Sequence, residues 1–302
     1  MPVKPLRRIG LPANDTLYDR MSALLLNSVD SRANMAALER ERTLLVLRSG
    51  ENTLTAAPRG STAQLLYGYE NERAFVEQFP SMFERLLPKI RKNLQSDRVR
   101  VRLSYNPARP VIEPVLKNLW FNPTRNWLSF SLARPSKLPA APTVTGVKFR
   151  NAAPSDLLEL LRLDAESFPN STLDPAYIES MISGEQVVVA TARPDVAGFC
   201  VFSQFEPEIG YVNTVAVTPN HRDRGIGAAL TMRAARALFV AGSERVDLTT
   251  DETNSPAIRL YVRLGFRQDR AGRDYSRPTD PRAIEKLKAE AQGTFIKFGG
   301  WR

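Results

Sequence analysis

Apolar positions in the second half of the chain recur at two different spacings. Short apolar or alternating runs predict strands at 147–149, 186–191, 196–205, 211–217 and 245–251. Apolar residues three and four positions apart predict helices at 155–164, with Ser155 as N-cap, at 175–182, and from Gly225 to about residue 241. The inner face of the last helix carries Ile226, Leu230, Ala234, Ala237, Leu238 and Ala241. The order of these elements predicts an α/β fold with a mixed (α+β) sheet.

The first half of the chain repeats the sequence pattern of the last part of the second half. Aligning Leu119-Trp-Phe121 with Leu264-Gly-Phe266 gives an offset of 145 residues, at which a strand-like run at 100–103 falls on the last predicted strand. Upstream, residues 64–69 have the pattern of a strand and residues 73–93 that of a helix. The sequence therefore predicts two copies of one fold in tandem.

The segments that separate and follow the two copies differ in composition. Residues 136–143, Ser-Lys-Leu-Pro-Ala-Ala-Pro-Thr, are typical of a linker. We therefore predict a first domain at 1–137, a linker at 138–144 and a second domain at 145–278. The tail at 279–302 is predicted to form a helix at 280–292 and a short strand at 294–298. Its aromatic residues, including Trp301, are expected to pack against a domain or another subunit.

Length and composition limit the class of protein. A chain of 302 residues is about twice the size of one ordinary domain. The only cysteine, Cys200, lies in an apolar run and is expected to be a small buried hydrophobe, so no disulfide forms within the chain. No apolar run reaches the length of a membrane span, and no apolar segment follows the basic N-terminal residues. We therefore expect a cytoplasmic protein without a membrane partner.

The positive charge of the chain is unevenly distributed. The net charge is +10, and residues 1–145 alone hold 22 Lys and Arg against 12 Asp and Glu. Such a basic half can attract nucleic acid, an acidic partner or the phosphates of a cofactor. The arginines are spread out, as at Arg98, Arg100 and Arg102 along one predicted strand face, and they form no dense block. The pattern favours a solvated basic surface over a nucleic-acid site.

The strongest chemical signal is the segment 215–228, Val-Ala-Val-Thr-Pro-Asn-His-Arg-Asp-Arg-Gly-Ile-Gly-Ala, in which a strand passes through a basic loop into a helix. The first N–H groups of a helix have no intrahelical acceptor and bind anionic oxygens. Gly225 and Gly227 let a ligand approach the backbone, and Arg222 and Arg224 add positive charge. The segment is therefore predicted to bind a phosphate group.

Two common phosphate-binding motifs fit this segment poorly. A Walker A loop needs Lys and then Ser or Thr after its glycines, whereas Gly227 is followed by Ala228 and Ala229. A dinucleotide fingerprint needs a tight turn and a third glycine or alanine, whereas Leu230 stands at that position and residues 219–224 make the turn too long. The first motif is excluded and the second is disfavoured.

The pattern Arg222-x-x-Gly225-x-Gly227-Ala228 resembles the acyl-CoA loop of the GNAT N-acetyltransferase superfamily. Further along, residues 254–266, Asn-Ser-Pro-Ala-Ile-Arg-Leu-Tyr-Val-Arg-Leu-Gly-Phe, are similar to the second motif of the family, Asn-x-x-Ala-x-x-x-Tyr followed by Gly-Phe. The two motifs occur in the family's order, one helix and one strand apart. The resemblance is therefore specific, and it covers about residues 144–278.

This resemblance implies a reaction and a site. It implies direct transfer of an acetyl group from acetyl-CoA to a primary amine of a small molecule or a peptide, without a metal. It also implies that Tyr261 protonates the leaving thiolate of coenzyme A, which a thiol pKa near 8.5 and a phenol pKa near 10 permit. The cofactor-binding residues that the resemblance implies are Val215, Val217, Arg222, Asp223, Arg224, Gly225, Ile226, Gly227, Ala228, Asn254 and Tyr261.

Ordinary structural roles account for some of the same residues without a ligand. Asn254 or Ser255 has the position of a helix N-cap. Tyr261 shares one helical stripe with Ala257 and Leu264, which is the spacing of a core face. Spacing alone favours the core role for Tyr261, and only the family resemblance favours the general acid.

The base that accepts the proton of the amine is not marked by any spacing. The candidates are Glu206, Glu208 and Asp251, which flank two predicted strands, and Glu208 is taken as the candidate base. The only histidine, His221, lies inside the predicted phosphate loop and is expected to make a local contact. The loop at 166–174 is expected to line the acceptor end, and it carries no signature that identifies the amine.

The first copy lacks the residues that the resemblance marks as chemical. At the offset of 145, the counterparts of Asn254 and Tyr261 are Arg109 and Leu116, and no glycine pair follows the upstream strand. Residues 1–137 are therefore interpreted as a degenerate GNAT-like domain that binds no coenzyme A. A non-catalytic acyl-CoA sensor or a partner-binding protein is the alternative hypothesis for the whole chain, and a homodimer is left open.

Overall fold

The computed structural model describes residues 16–30, 32–104, 109–136, 140–168, 175–192 and 195–298. The elements of the first half are α1 (Leu17–Ser22), β1 (Leu26–Ser28), α2 (Arg32–Arg40), β2 (Leu45–Ser49), β3 (Asn52–Arg59), β4 (Thr62–Tyr69), α3 (Glu72–Lys89), β5 (Arg98–Ser104), α4 (Arg109–Asn118) and β6 (Asn122–Ala133). Those of the second half are β7 (Lys148–Asn151), α5 (Leu157–Ser167), α6 (Pro175–Ser183), β8 (Val187–Ala192), β9 (Asp195–Glu206), β10 (Ile209–Val217), α7 (Ile226–Val240), β11 (Arg245–Asp251), α8 (Ser255–Arg263), β12 (Arg267–Pro278) and α9 (Pro281–Phe298). None of the described helices combines the length and the apolar character needed to cross a membrane.

Contacts between residues divide the chain into two compact units that interleave along the sequence. The first unit comprises Met1–Val101, Pro110–Phe121 and Arg277–Arg302, and the second comprises Arg102–Arg109 and Asn122–Ser276. β6 therefore belongs to the second unit although it precedes the predicted linker. The domain boundaries at 137, 144 and 278 concern copies of a fold along the sequence, and they stay predictions.

The first unit is built on a column of aromatic side chains beneath α3. β2, β3 and β4 pair in antiparallel fashion, and β4 and β5 pair in parallel. The ring centroids of Tyr69 and Phe75 lie 5.0 Å apart, those of Phe75 and Phe79 4.5 Å, and those of Phe79 and Phe83 6.0 Å. All four side chains are buried. The column fills the space between the sheet and α3 with large apolar groups.

The second unit contains a seven-stranded sheet in the order β12-β6-β11-β10-β9-β8-β7. β10 and β11 are parallel neighbours, and the other neighbouring strands are antiparallel. One apolar cluster joins the sheet to α7 and α8, and a second cluster joins it to α5 and α6. The mixed α/β sheet that the sequence predicts is confirmed, with a helical layer on each face.

The predicted elements of residues 145–278 are confirmed with shifts of at most three residues at their ends, and the strand at 245–251 is correct at both ends. The prediction of Ser155 as an N-cap is wrong, because residues 154–156 form a 3₁₀ turn that runs directly into α5, and the N-cap position falls on Asp156, whose side chain makes no capping bond to α5. Its carboxylate accepts hydrogen bonds from Ala153 N at 2.7 Å and from the Arg150 guanidinium at 2.6 and 2.8 Å. Ser155 is exposed. The carboxylate of Asp156 thus stabilises the start of the 3₁₀ turn and not the N-terminus of α5.

The prediction of a strand at 294–298 is also wrong. α9 runs without interruption from Pro281 to Phe298 and passes through Gly293. One glycine costs a helix about 1 kcal/mol, which is too little to end a helix built from strong helix formers. Ile284 is buried and anchors the start of the helix. Trp301 lies outside the described residues.

The backbone repeats at the offset that the sequence predicts. The bounds of β6 and β12 differ by 145 residues at both ends. α4 and α8 also end in the same turn, because Phe121 N donates to Leu116 O at 3.0 Å and Phe266 N donates to Tyr261 O at 3.0 Å. Two local conformations therefore recur at equivalent positions of the two halves.

At two positions, a tryptophan of the first half corresponds to a glycine of the second half at the offset of 145 residues. Trp120 and Gly265 both have a positive φ, of 66° and 89°. Trp127 of β6 pairs directly with its counterpart Gly272 of β12. A Cβ at position 272 would lie 2.2 Å from Trp127 Cζ2, so only glycine leaves room for the indole. The contact between β6 and β12 therefore requires different residues at positions 127 and 272, with tryptophan at one and glycine at the other.

We expect Asp156→Ala to lower the free energy of unfolding by about 2 kcal/mol at neutral pH, because it removes a buried acceptor of charged and backbone donors. Ser155→Ala is the matched control and should change it by less than about 0.5 kcal/mol. The hydrogen bond from Arg150 holds the pKa of Asp156 below its ordinary value. Its stabilisation is therefore present above the unfolded pKa near 3.9 and is lost as the pH falls through the lower folded value. Urea unfolding of both variants at neutral and acidic pH measures this, and equal effects of the two substitutions would contradict it.

Candidate functional site

β10 and β11 lie side by side over only part of their length. Parallel pairing covers residues 209–212 of β10 and 245–248 of β11 and then stops, while β10 continues to pair with β9. Within the described part of the chain, no strand pairs with the β11-facing edge of β10 beyond this point. We call the opening between residues 213–217 and 249–251 the fork. Its free backbone groups suit an extended ligand that adds as a further strand.

A β-bulge lies where the fork opens. The register of β10 against β9 shifts after Val212, and this shift leaves Asn213 as the extra residue. Because of the extra residue, Val215 and Val217 pack against the same α7–α8 cluster as Val212. Ser203 Oγ donates a hydrogen bond to Asn213 Oδ1 at 3.0 Å. The bulge thus redirects the side chains of β10 along one arm of the fork.

The loop after β10 is held by contacts to the end of that strand. His221 Nδ1 lies 2.8 Å from Thr218 Oγ1, which confirms the predicted local contact of the histidine. Arg222 Nε donates to Val217 O at 3.2 Å. Asp223 and Gly225 have positive φ values of 59° and 83°. Glycine adopts this conformation without a Cβ penalty, and Asp is among the side chains that tolerate it.

The N-terminus of α7 follows directly and has no side-chain cap, because its N-cap residue is Gly225. The N–H groups of residues 226–228 precede the first intrahelical bond, in which Ala229 N donates to Gly225 O at 3.0 Å. The side chain of Ile226 is buried and fixes the helix to the core. Arg222 and Arg224 are exposed beside this helix end. Free donors, the helix dipole and two guanidinium groups at one place suit an anionic group.

Tyr261 lies in the apolar cluster beneath α8. Asn254 caps the helix by accepting from Ala257 N at 3.3 Å, so the structural role that the sequence allows for Asn254 is confirmed. The ring of Tyr261 lies 6.0 Å from those of Phe130 and Phe266. Burial, with smaller contributions from nearby Cys200 and Tyr211, raises the pKa of the phenol. Tyr261 is therefore a core residue that stays protonated at neutral pH. Cys200 is buried as predicted.

The carboxylates near the fork differ in position. Glu208 is exposed in the turn before β10, and its backbone carbonyl accepts from Glu244 N and Arg245 N. That turn is the end of β10 farthest from the fork. Asp251 lies on the β11 arm and accepts from Thr253 N and Oγ1 at 2.9 and 2.6 Å. The structure thus brings Asp251 to the fork and leaves Glu208 at the opposite end of the strand.

Of the acceptor loop predicted at 166–174, only the first three residues are described, with Glu166 and Ser167 ending α5 and Phe168 following it. Residues 169–174 lie outside the described residues. The Arg162 guanidinium pairs with Glu166 on the exposed face of α5. The described part of the loop therefore begins on a helix that packs against β9 and β10 through its apolar face.

A hydrogen bond that local sequence pattern does not reveal closes the base of the fork. Tyr211 Oη donates to Thr249 Oγ1 at 2.7 Å, across the gap between β10 and β11. The two residues are 38 positions apart, and no motif connects them. The local signal is weak: Tyr211 and Thr249 each occupy a half-buried position between buried neighbours on strands that stop pairing nearby.

The equivalent opening in the first unit is filled by the chain itself. Parallel pairing of β4 with β5 stops after Leu65, and residues 67–69 of β4 pair with β1. Since β3 occupies the other edge of β4, β1 lies on the edge that is open in β10. The first turn of α3 is capped by Asn71, whose Oδ1 accepts from Ala74 N at 2.9 Å, and it carries the negative charge of Glu72. At the equivalent positions of the first unit, the strand edge is thus paired and the helix start is capped.

Part of this chain is similar to known proteins. Residues 156–266 match the acetyltransferase (GNAT) family. A mycothiol acetyltransferase of Sanguibacter keddieii is 28% identical over 172 residues, which cover 52% of this chain and only 55% of that protein. A mycothiol acetyltransferase of Thermobispora bispora is 28% identical over 293 residues, 85% of this chain and 96% of that protein.

A solved structure shares the fold at low sequence identity. It is described as a tandem GNAT protein from the clavulanic acid biosynthesis pathway, without AcCoA. The superposition has a TM-score of 0.59 at 15% identity and covers 79% of this chain and 84% of that chain. The matched residues 156–266 include the fork, the loop before α7 and the whole of α8. Over residues 156–266, this chain is therefore similar to the GNAT family of acetyltransferases.

Proposed function

We propose that this protein transfers an acetyl group from acetyl-CoA directly to a primary amine of a small molecule or a peptide. One observation carries the proposal: the open edge of β10 leads through a short loop into the uncapped N-terminus of α7. An extended chain that ends in an anionic group fits these two features together. Pantetheine and pyrophosphate are joined in this way in coenzyme A.

The cofactor contacts follow from this geometry. Main-chain groups at Val215 and Val217 would pair with the amides of pantetheine as an added strand. The N–H groups of residues 226–228 would bind the pyrophosphate, with Arg222 and Arg224 adding charge. Bound acetyl-CoA supplies an activated thioester, and an N–H group of the β10 edge would polarise its carbonyl.

Tyr261 would protonate the leaving thiolate. The burial that raises its pKa keeps the phenol protonated, and the same low-dielectric surroundings disfavour a free thiolate beside it. Proton transfer during the breakdown of the thioester moves the negative charge from the sulfur to the phenol oxygen, and solvent then returns a proton to Tyr261. The support for this role is the position of the ring beneath α8 together with the match of residues 156–266 to the family.

Glu208 would act as a base only through a chain of water molecules. It stands five residues before the bulge at Asn213, which is about 16 Å along an extended strand. The acceptor itself is proposed only as a class. The shared name of the two relatives makes small-molecule amines the first compounds to test, and peptides with a free amine the second.

We expect one coenzyme A site per chain, in the second unit, because β1 fills the corresponding opening of the first. Titration calorimetry should give a stoichiometry near one and a dissociation constant below about 1 mM. If millimolar coenzyme A produces no detectable heat of binding, the proposed function is contradicted. A stoichiometry of two would retain the function and reject the interpretation of a silent first copy.

Gly227→Ala separates a ligand role from a folding role. A Cβ at this position meets only Leu260 Cδ2 at 3.4 Å and Val217 Cγ2 at 3.8 Å, and alanine stabilises a helix by about 0.5–1 kcal/mol relative to glycine. The melting temperature should therefore stay the same or rise, while the affinity for coenzyme A falls at least tenfold through crowding at the pyrophosphate. Calorimetry and thermal unfolding measure the two quantities. Unchanged affinity would show that the ligand does not approach this backbone.

Tyr261→Phe should lower kcat about 100-fold without weakening coenzyme A binding, because it removes only the proton donor and keeps the ring among Phe130 and Phe266. Steady-state kinetics with a series of amines measures this. Tyr69→Phe, at another buried phenol, is the matched control and should leave the rate unchanged. If the wild-type protein binds acetyl-CoA yet acetylates no amine, the sensor hypothesis replaces the enzyme.

A further inference from the structure

The base of the fork carries a polar group on each side of the sheet. Tyr261 belongs to the α7–α8 cluster, as does Val212 of β10. Tyr211 precedes Val212, and successive side chains of a strand alternate between faces, so Tyr211 lies on the opposite face.

Tyr211 is oriented by two contacts on its own face. Its hydroxyl donates to Thr249 Oγ1 at 2.7 Å, and its ring lies 6.0 Å from that of Phe205. The donated proton leaves the lone pairs of the phenol oxygen available to a further donor. Since Thr249 is the first residue of β11 beyond the paired region, this oxygen is held where the two strands part.

The carboxylates of the two strands are engaged elsewhere. Asp247 is buried and forms ion pairs with Arg245 at 2.8 Å and Arg270 at 3.6 Å. Asp251 accepts two hydrogen bonds from Thr253. Asp251 uses Oδ1 for both of these bonds and stands two residues beyond Thr249, whereas the Tyr211–Thr249 pair lies at the point where the strands part.

We infer that Tyr211, held by Thr249, binds and orients the acceptor amine for attack on the thioester. This inference rests on the proposed acetyl transfer and names residues for it. The phenol oxygen accepts one N–H of the neutral amine, and the nitrogen lone pair then points across the fork at the carbonyl carbon. Thr249 acts through Tyr211 as its positioning residue.

The resulting step balances without a further reactant. The amine nitrogen bonds to the acetyl carbon, the carbon–sulfur bond breaks, and the thiolate takes the proton of Tyr261. The proton released by the nitrogen passes to solvent, and solvent reprotonates Tyr261. Tyr211 gains and loses no proton, so its contribution is binding and orientation.

The test measures the acceptor and the cofactor separately. The probes are a simple alkylamine, an amino sugar and a short peptide with a free N-terminus, and the fastest of them serves for kinetics. Tyr211→Phe keeps the contact with Phe205 and removes the oxygen, so kcat/KM for the amine should fall about tenfold while the dissociation constant of acetyl-CoA stays unchanged. Thr249→Val should lower it about threefold, and Thr249→Ser should restore it.

Three outcomes would overturn the inference. If Tyr211→Phe acetylates the amine like the wild type, the phenol oxygen does not bind the acceptor. If acetyl-CoA affinity falls in parallel with kcat/KM, the pair only holds the strands together. If the wild type binds acetyl-CoA but acetylates none of the three probes, the proposed function fails, and this inference fails with it. The first two results leave the proposed function intact.

Discussion

A strand that loses its neighbour in the middle of a sheet must find other partners for its backbone, and this requirement governs both units of the molecule. β10 and β11 stop pairing after Val212 and Leu248, and β4 and β5 stop after Leu65 and Val101. In each case one edge of the first strand remains bound to an antiparallel neighbour. Backbone groups left bare inside a protein are costly, so the other edge is a site that a further chain will fill.

The two units meet this requirement in different ways, and the difference separates scaffold from site. In the first unit, β1 adds to the open edge, and Asn71 caps the following helix. In the second unit, the edge stays free and the helix begins at Gly225, which has no capping side chain. In the first unit, the chain itself thus pairs with the open strand edge. In the second unit, the corresponding edge is unpaired among the described residues, although the strand order around the opening is the same.

Local pattern was sufficient for the parts of the site that lie close together in sequence. The loop before α7, the cap at Asn254 and both ends of β11 follow from residue type and spacing alone. Contacts between distant residues were not predictable, because pairing register is a property of the whole sheet. The bond of Tyr211 to Thr249 is of this kind, as is the place of β1. The prediction of Ser155 as a cap is wrong because the helical turn already begins at Pro154.

The interleaving of the units bears on how the chain could have evolved. β6 lies between β11 and β12, and its Trp127 covers Gly272, yet it is encoded before the predicted linker. Loss of the first half of the gene would remove an interior strand from the second unit and bare two strand edges at once. Selection for the second unit alone is therefore enough to retain residues 122–133, whether or not the first unit ever binds a ligand.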